Sequence, residues 1–173
     1  MNKKELKEIL AQHELWLDSD GEEGRRANLG GADLREAKLR RANLRGVNFR
    51  EANLSRAYLY RANLEGANLR EANLRRADLV EADLCGGNLE GADLRGANLL
   101  YAYLARANLP GAVLTGANLS RADLIGANLR EAELGPEIRE CFCFAHARVS
   151  EDQLAWLCLH PKFSEWVSGL EIV

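Results

Sequence analysis

From Leu29 to Leu134 every fifth residue is leucine, with Phe49 the one exception, which makes 22 consecutive five-residue units. Two positions before each centre stands alanine, from Ala27 to Ala132, interrupted only by Val47 and Gly87. The residue between them is mostly Asn or Asp, so the unit reads Ala-(Asn/Asp)-Leu-x-x. Glycine is common at its last position, as at Gly31, Gly46, Gly66 and Gly86.

A period of five suits neither regular element. On an α-helix, five residues advance by about 140° beyond a full turn, which spreads the leucines around the cylinder. On a straight strand an odd period sends successive leucines to opposite faces. A bend after every three extended residues resolves this. Ala and Leu then point inward, the residue between them points out, and the last two turn the corner, where glycine supplies positive φ. Coils stacked about 4.8 Å apart share backbone ladders. The pattern predicts an all-β solenoid over residues 25–135.

A solenoid exposes an apolar cross-section at each end and needs plugs. Leu6, Ile9, Leu10, His13, Trp16 and Leu17 follow helical spacing. They predict an amphipathic helical cap within residues 1–24, ended by Asp18 to Gly21 and by Gly24. After Gly135-Pro136 the period is lost, and residues 136–173 are read as a second helical cap. There Ser150 and Gln153 form a capping box. Leu154, Leu157 and Cys158 follow on one helical side, then Phe163, Trp166, Val167 and Leu170 beyond Pro161.

The repeats resemble the pentapeptide-repeat family over about 108 residues without an insertion. The resemblance implies a right-handed quadrilateral parallel β-helix with four repeats per coil. That makes about 5.5 coils, about 26 Å long at the strand spacing. The stretch Leu10 to Leu17, followed by acidic and glycine residues, is similar to the N-terminal cap of cyanobacterial members. The family also implies an alternative for the Trp/Phe-rich C-terminal segment, a dimer contact. Monomer and weak homodimer both stay open.

Composition adds exclusions. The 47% apolar share is mostly Ala and Leu, too rich in leucine for disorder. No apolar run approaches the roughly 18–20 residues that span a bilayer, and no signal-peptide core follows the lysines near the start. The expectation is a cytoplasmic protein without a membrane partner. The four cysteines, Cys85, Cys141, Cys143 and Cys158, are then expected as reduced thiols.

Catalytic chemistry finds no support. The repeats hold no histidine, and nucleophile-elbow, phosphate-loop and dinucleotide motifs are absent. We therefore expect no enzyme activity, cofactor or small-molecule substrate. Cys141, Cys143, His146, Cys158 and His160 are of types that zinc accepts. They lack a Cys-x-x-Cys knuckle, however, and Cys158 and His160 would diverge on a helix, so no metal site is assigned.

In the family, the best-known role is to bind DNA gyrase by imitating DNA, which requires an acidic rod. Residues 25–135 instead carry 17 basic and 13 acidic side chains, net +4. Residues 25–76 alone are +8, while residues 77–135 are −4. A basic groove would repel the first half. Nucleic acid is disfavoured as well, because arginines alternate with acids, as in Arg35-Glu36, Arg50-Glu51 and Arg70-Glu71.

With four repeats per coil, residues twenty apart stack. One side carries an uninterrupted ladder of Asn28, Asn48, Asn68, Asn88, Asn108 and Asn128. Another carries Tyr58, Tyr60, Val80, Leu100 and Tyr101, with Tyr103 at the next corner. These are read as the only large apolar residues clustered outside the core, and they mark the surface for a protein partner. The expected function is a non-enzymatic scaffold or interaction module.

Overall fold

The computed structural model describes residues 1–135, 147–153, 171 and 172. Parallel bridges join residues twenty apart through the whole rod, from Asn28 with Asn48 to Val113 with Glu133. Four repeats therefore complete one coil of a parallel β-helix. The first side holds the centres Leu29, Phe49, Leu69, Leu89, Leu109 and Leu129; the second, third and fourth begin at Leu34, Leu39 and Leu44. The leucines at the repeat centres are buried without break from Leu29 to Leu129, and so is Phe49. So are the alanines two positions before each centre from Ala52 to Ala132, while Ala32, Ala37 and Ala42 near the first coil are only partly covered. Each buried leucine contributes about 2 kcal/mol of transfer free energy.

The backbone of each repeat can be followed donor by donor. In a typical unit the Asn63 N–H donates to the Ala42 carbonyl in the coil before, at 3.0 Å. The Leu64 N–H donates to Asp83 in the coil after, at 2.6 Å, and the corner N–H of Gly66 to Cys85, at 2.9 Å. The next N–H, of Ala67, closes the turn onto the Leu64 carbonyl at 2.9 Å. The fifth donor, on Glu65, reaches the Asn63 side-chain oxygen at 3.0 Å. Among the described residues fourteen repeats have this last bond, through Asn or Asp alike. The Asn/Asp position is thus a local cap for the N–H of the residue after the leucine. The expected amide ladder is also present in part: Asn48 donates to Asn28, Asn68 to Asn48, Asn108 to Asn88 and Asn128 to Asn108.

The last residue of the unit is left-handed whether or not it is glycine. Twelve Arg, Glu and Tyr residues hold φ between 54° and 59° there, including Glu36, Arg56, Arg61, Tyr101 and Arg106. This is the third position of a type II turn, which demands positive φ. Several of these strained residues pair along the rod, as Arg61 with Glu81 at 2.6 Å and Arg56 with Glu36 at 3.7 Å. Glu36 thus pairs with the next coil and not with neighbouring Arg35, which clamps Asp33 at 2.7 Å. That clamp holds the Asp33 carboxyl down at about 2. Arg50 with Glu51 and Arg70 with Glu71 pair as neighbours.

Helix α1 spans Lys3–Asp18. Asn2 and Glu5 form a capping box at its start, and Leu6, Ile9 and Leu10 pack on the end of the core. His13 is fully buried, its Nδ1 accepting the Ala27 N–H at 3.3 Å, with its ring stacked on Trp16. Gly24 closes the connection, since a Cβ there would collide with the Gln12 carbonyl oxygen.

Beyond residue 135 the same register recurs at residues 147–149. Ala147 and Val149 are buried, and Arg148 bridges Asn128 in the same twenty-residue register. Strand β1 (Arg148–Val149) then pairs in parallel with β2 (Glu171–Ile172). Gln153 donates to the Leu129 and Ala132 carbonyls at 2.7 and 2.9 Å, and reciprocal bonds with Ser150 form the expected capping box. The remainder of the expected C-terminal helical cap lies outside the described residues.

Two outcomes follow. Gly86→Ala meets no atom within 4 Å but keeps φ at +62°, so it should lower stability by about 1 kcal/mol. Arg106→Gly should recover a similar amount, read by urea melts. Gly24→Ala should instead release α1, seen as lost near-ultraviolet signal from Trp16. The second outcome concerns pH. Burial is the main cause that lowers the His13 pKa from 6.5; the Arg45 carbonyl opposes it and the Arg26 charge reinforces it. The folded state therefore holds fewer protons, and the stability His13 contributes is complete above about pH 6.5 and declines below it. Melting temperatures between pH 7 and 5.5 should fall more for the wild type than for His13→Phe.

Candidate functional site

The sides of the rod differ because only inward positions are constrained. On the third side, the residue after each leucine forms the column Arg40, Tyr60, Val80, Leu100 and Ser120. The Arg61 N–H donates to the Val80 carbonyl and the Glu81 N–H to the Leu100 carbonyl, both at 3.0 Å. Tyr60, Val80 and Leu100 thus stand on successive coils, half-buried. Tyr58, 39% exposed, occupies the Asn/Asp position of the same side and bridges Lys38 and Asp78. Tyr101, 42% exposed, stands at the corner, and Tyr103, 52% exposed, begins the fourth side.

Arginines hold these rings. Arg40 lies over Tyr58 and Arg61 over Tyr60, both at 5.1 Å, and Arg121 over Tyr101 at 5.4 Å. Arg121 also donates to the Tyr101 hydroxyl at 2.9 Å, and the Tyr60 hydroxyl donates to Glu81 at 3.4 Å. Such contacts, favourable between a cation and a ring face, restrain side chains that would otherwise lose rotamer freedom on binding.

The apolar surface is larger than the sequence suggested. Ile125 is 40% exposed and tops a column with Cys85 and Ala105 beside Tyr103. Backbone bonds from Gly86 to Ala105 and from Arg106 to Ile125 link that column. Sorting the fourth side by twenties would have found it. The Arg–Tyr stacking carried a weaker signal, an arginine at the next residue or about one coil from each ring.

Burial is the main influence on the Cys85 thiol, and with Asp83 beside it pushes the pKa up to about 11. Elsewhere, a cleft between α1 and the rod is lined by Trp16, Leu17, Asp20, Arg26, Arg45 and Glu65, and brings no nucleophile and base together. Among the described residues no group of His, Cys, Asp and Glu could hold a metal ion. Cys141, Cys143, His146, Cys158 and His160 lie outside them. No helix among the described residues is long and apolar enough to cross a membrane.

Comparison with known proteins agrees with this geometry. A family profile for pentapeptide repeats, eight copies to the profile, matches residues 27–66, 62–99 and 97–134. Among solved structures, a trypsin-treated variant of QnrB1, a plasmid-mediated fluoroquinolone resistance protein, is 19% identical with a TM-score of 0.52. The match covers 77% of this chain and 84% of that one. HetL, a pentapeptide repeat protein involved in heterocyst differentiation regulation in the cyanobacterium Nostoc sp. strain PCC 7120, is 35% identical. It is covered over 60% of its length and 71% of this chain, with a TM-score of 0.30. Rfr23 from the cyanobacterium Cyanothece 51142 is 30% identical over 73% of this chain and 86% of that one, with a TM-score of 0.26. No curated protein matches the chain.

Because Cys85 stays protonated well above neutral pH, iodoacetamide should label its peptide slowly at pH 8 and much faster towards pH 11. Peptide mass mapping reads the rate, and rapid labelling at pH 8 would contradict the burial described.

Proposed function

Since the chain belongs to the pentapeptide-repeat family, we propose that it is a non-enzymatic scaffold whose partner surface is centred on Tyr58, Tyr60, Val80, Leu100, Tyr101 and Tyr103. We take its coil as right-handed, as the resemblance implies, and its setting as the cytoplasm. One observation carries the reading. Tyr58 and Tyr103 occupy positions where Asn or Asp ordinarily caps the N–H of the residue after the leucine, as Asn63 does for Glu65 and Asp83 for Cys85. Tyrosine has no oxygen near enough to do so. Each site gives up a structural hydrogen bond to present an exposed ring, and such departures from a local rule belong to functional positions.

Imitation of DNA is the weaker reading. The first half of the rod carries +8, and most of the described ion pairs are anchored by its arginines. A DNA-binding groove would meet cations where it needs phosphate-like charge. Excess protein should leave gyrase supercoiling unchanged.

The proposal predicts opposite effects of one change on stability and binding. Tyr103→Asn should restore the missing cap and raise stability by about 1 kcal/mol, while weakening capture of the native partner. Tyr60→Glu with Leu100→Glu should abolish that capture without unfolding the rod. Full binding by both variants, in affinity purification read by mass spectrometry, would refute the surface.

A further inference from the structure

The third side offers more than an apolar column. It carries five cations, Lys38, Arg40, Arg41, Arg61 and Arg121, against two carboxylates, Asp78 and Glu81. Both carboxylates are engaged within the side, Asp78 with Arg40 at 3.8 Å and Glu81 with Arg61 at 2.6 Å. Lys38 and Arg41 are exposed and have no ion pair among the described residues. Arg121, at the other end, is held among the described residues by Tyr101 alone. Among the described residues, positive charge without a carboxylate partner therefore stands at both ends of the column Tyr60, Val80 and Leu100, with the middle neutralised.

The spacing of the column selects among shapes. Its three side chains rise about 4.8 Å per coil, so the outer two stand about 9.6 Å apart. Side chains seven residues apart on an α-helix are separated by about 10.5 Å. Alternate residues of an extended strand repeat at about 6.6 Å, or about 13 Å over two intervals. The helix fits within about 1 Å, while the strand loses register by the third contact. From Arg41 to Arg121 is four coils, about 19 Å, which is the length of about 13 helical residues.

Resting on the partner surface assigned above, we infer that its occupant is an amphipathic helix of another protein. This helix lays an apolar i, i+4, i+7 stripe along Tyr60, Val80 and Leu100. Carboxylates about 13 residues apart meet Lys38 and Arg41 at one end and Arg121 at the other. The stacked tyrosines at Tyr58 and Tyr101 flank it as preorganised walls.

The test uses two fluorescein-labelled, alanine-rich 15-residue helical peptides. Both carry Leu at positions 5, 9 and 12, with paired Glu at both ends in one and paired Lys in the other. Fluorescence anisotropy with the full chain should show the Glu peptide binding at least tenfold tighter than its Lys twin. That gap should shrink as salt rises to about 0.5 M, where the screening length falls to a few ångströms. Lys38→Glu with Arg41→Glu and Arg121→Glu should invert the preference, and Leu100→Glu should abolish binding, with melting curves confirming that each variant is folded. Equal binding of the two peptides, lost in Leu100→Glu, would overturn the acidic-helix inference while leaving the column as a contact. Binding of neither would overturn the inference and count against the surface itself. Concentration-dependent self-association lost in Leu100→Glu would assign the column to a second copy and overturn the inference.

Discussion

A chain that must turn a corner every five residues leaves little freedom to its backbone, and here the hydrogen-bond donors govern the rest. Three of the five N–H groups in a unit bond to the coils on either side, and a fourth closes the corner onto the leucine carbonyl. The fifth points along the outside, where an Asn or Asp side chain meets it in most repeats. Once these are satisfied, the corner residue must be left-handed, Ala and Leu must face inward, and the coils must lie one strand spacing apart. The core is then filled by leucine as a consequence of a backbone geometry that admits one large and one small apolar residue per side.

That geometry also explains how the rod carries information. Inward positions are interchangeable from coil to coil, while the outward residue after each leucine and the corner residue are under no such demand. The corner tolerates Arg, Glu and Tyr at positive φ at a cost of about 1 kcal/mol each. Twelve such residues are a substantial accumulated strain for a single domain. They place long side chains where these can pair with the coil above or stack on a ring. Arg121 shows both: a strained corner residue whose guanidinium holds Tyr101 in place.

The solenoid was legible in the sequence because its signal repeats with no insertion between Ala27 and Leu134, and the grouping of the tyrosines followed from counting by twenties. Other features were not legible, for physical reasons. The register of Ala147, Arg148 and Val149 was hidden because a single unit, preceded in the sequence by residues that lack the Ala-x-Leu pattern, shows no period of its own. Asn and Asp read only as outward-pointing residues, since nothing in their spacing says that most of them accept an N–H two residues on. Glycine at the corner suggested positive φ, but its replacement by Arg or Glu concealed that every corner shares it. Ile125 escaped notice because its column contains Cys85 and Ala105, too small to register as apolar surface.

The central claim is that four repeats make each coil, so that residues twenty apart touch along one side. Cysteine cross-linking tests this directly. Neighbouring rungs lie within the Cα separation a disulfide spans, about 4.4–6.8 Å. With the native cysteines replaced by serine, Ser55→Cys with Arg75→Cys should oxidise quantitatively while the rod stays folded. Ser55→Cys with Arg70→Cys, fifteen apart, should not. Cross-linking of the second pair in place of the first would contradict the register, and with it the assignment of every side.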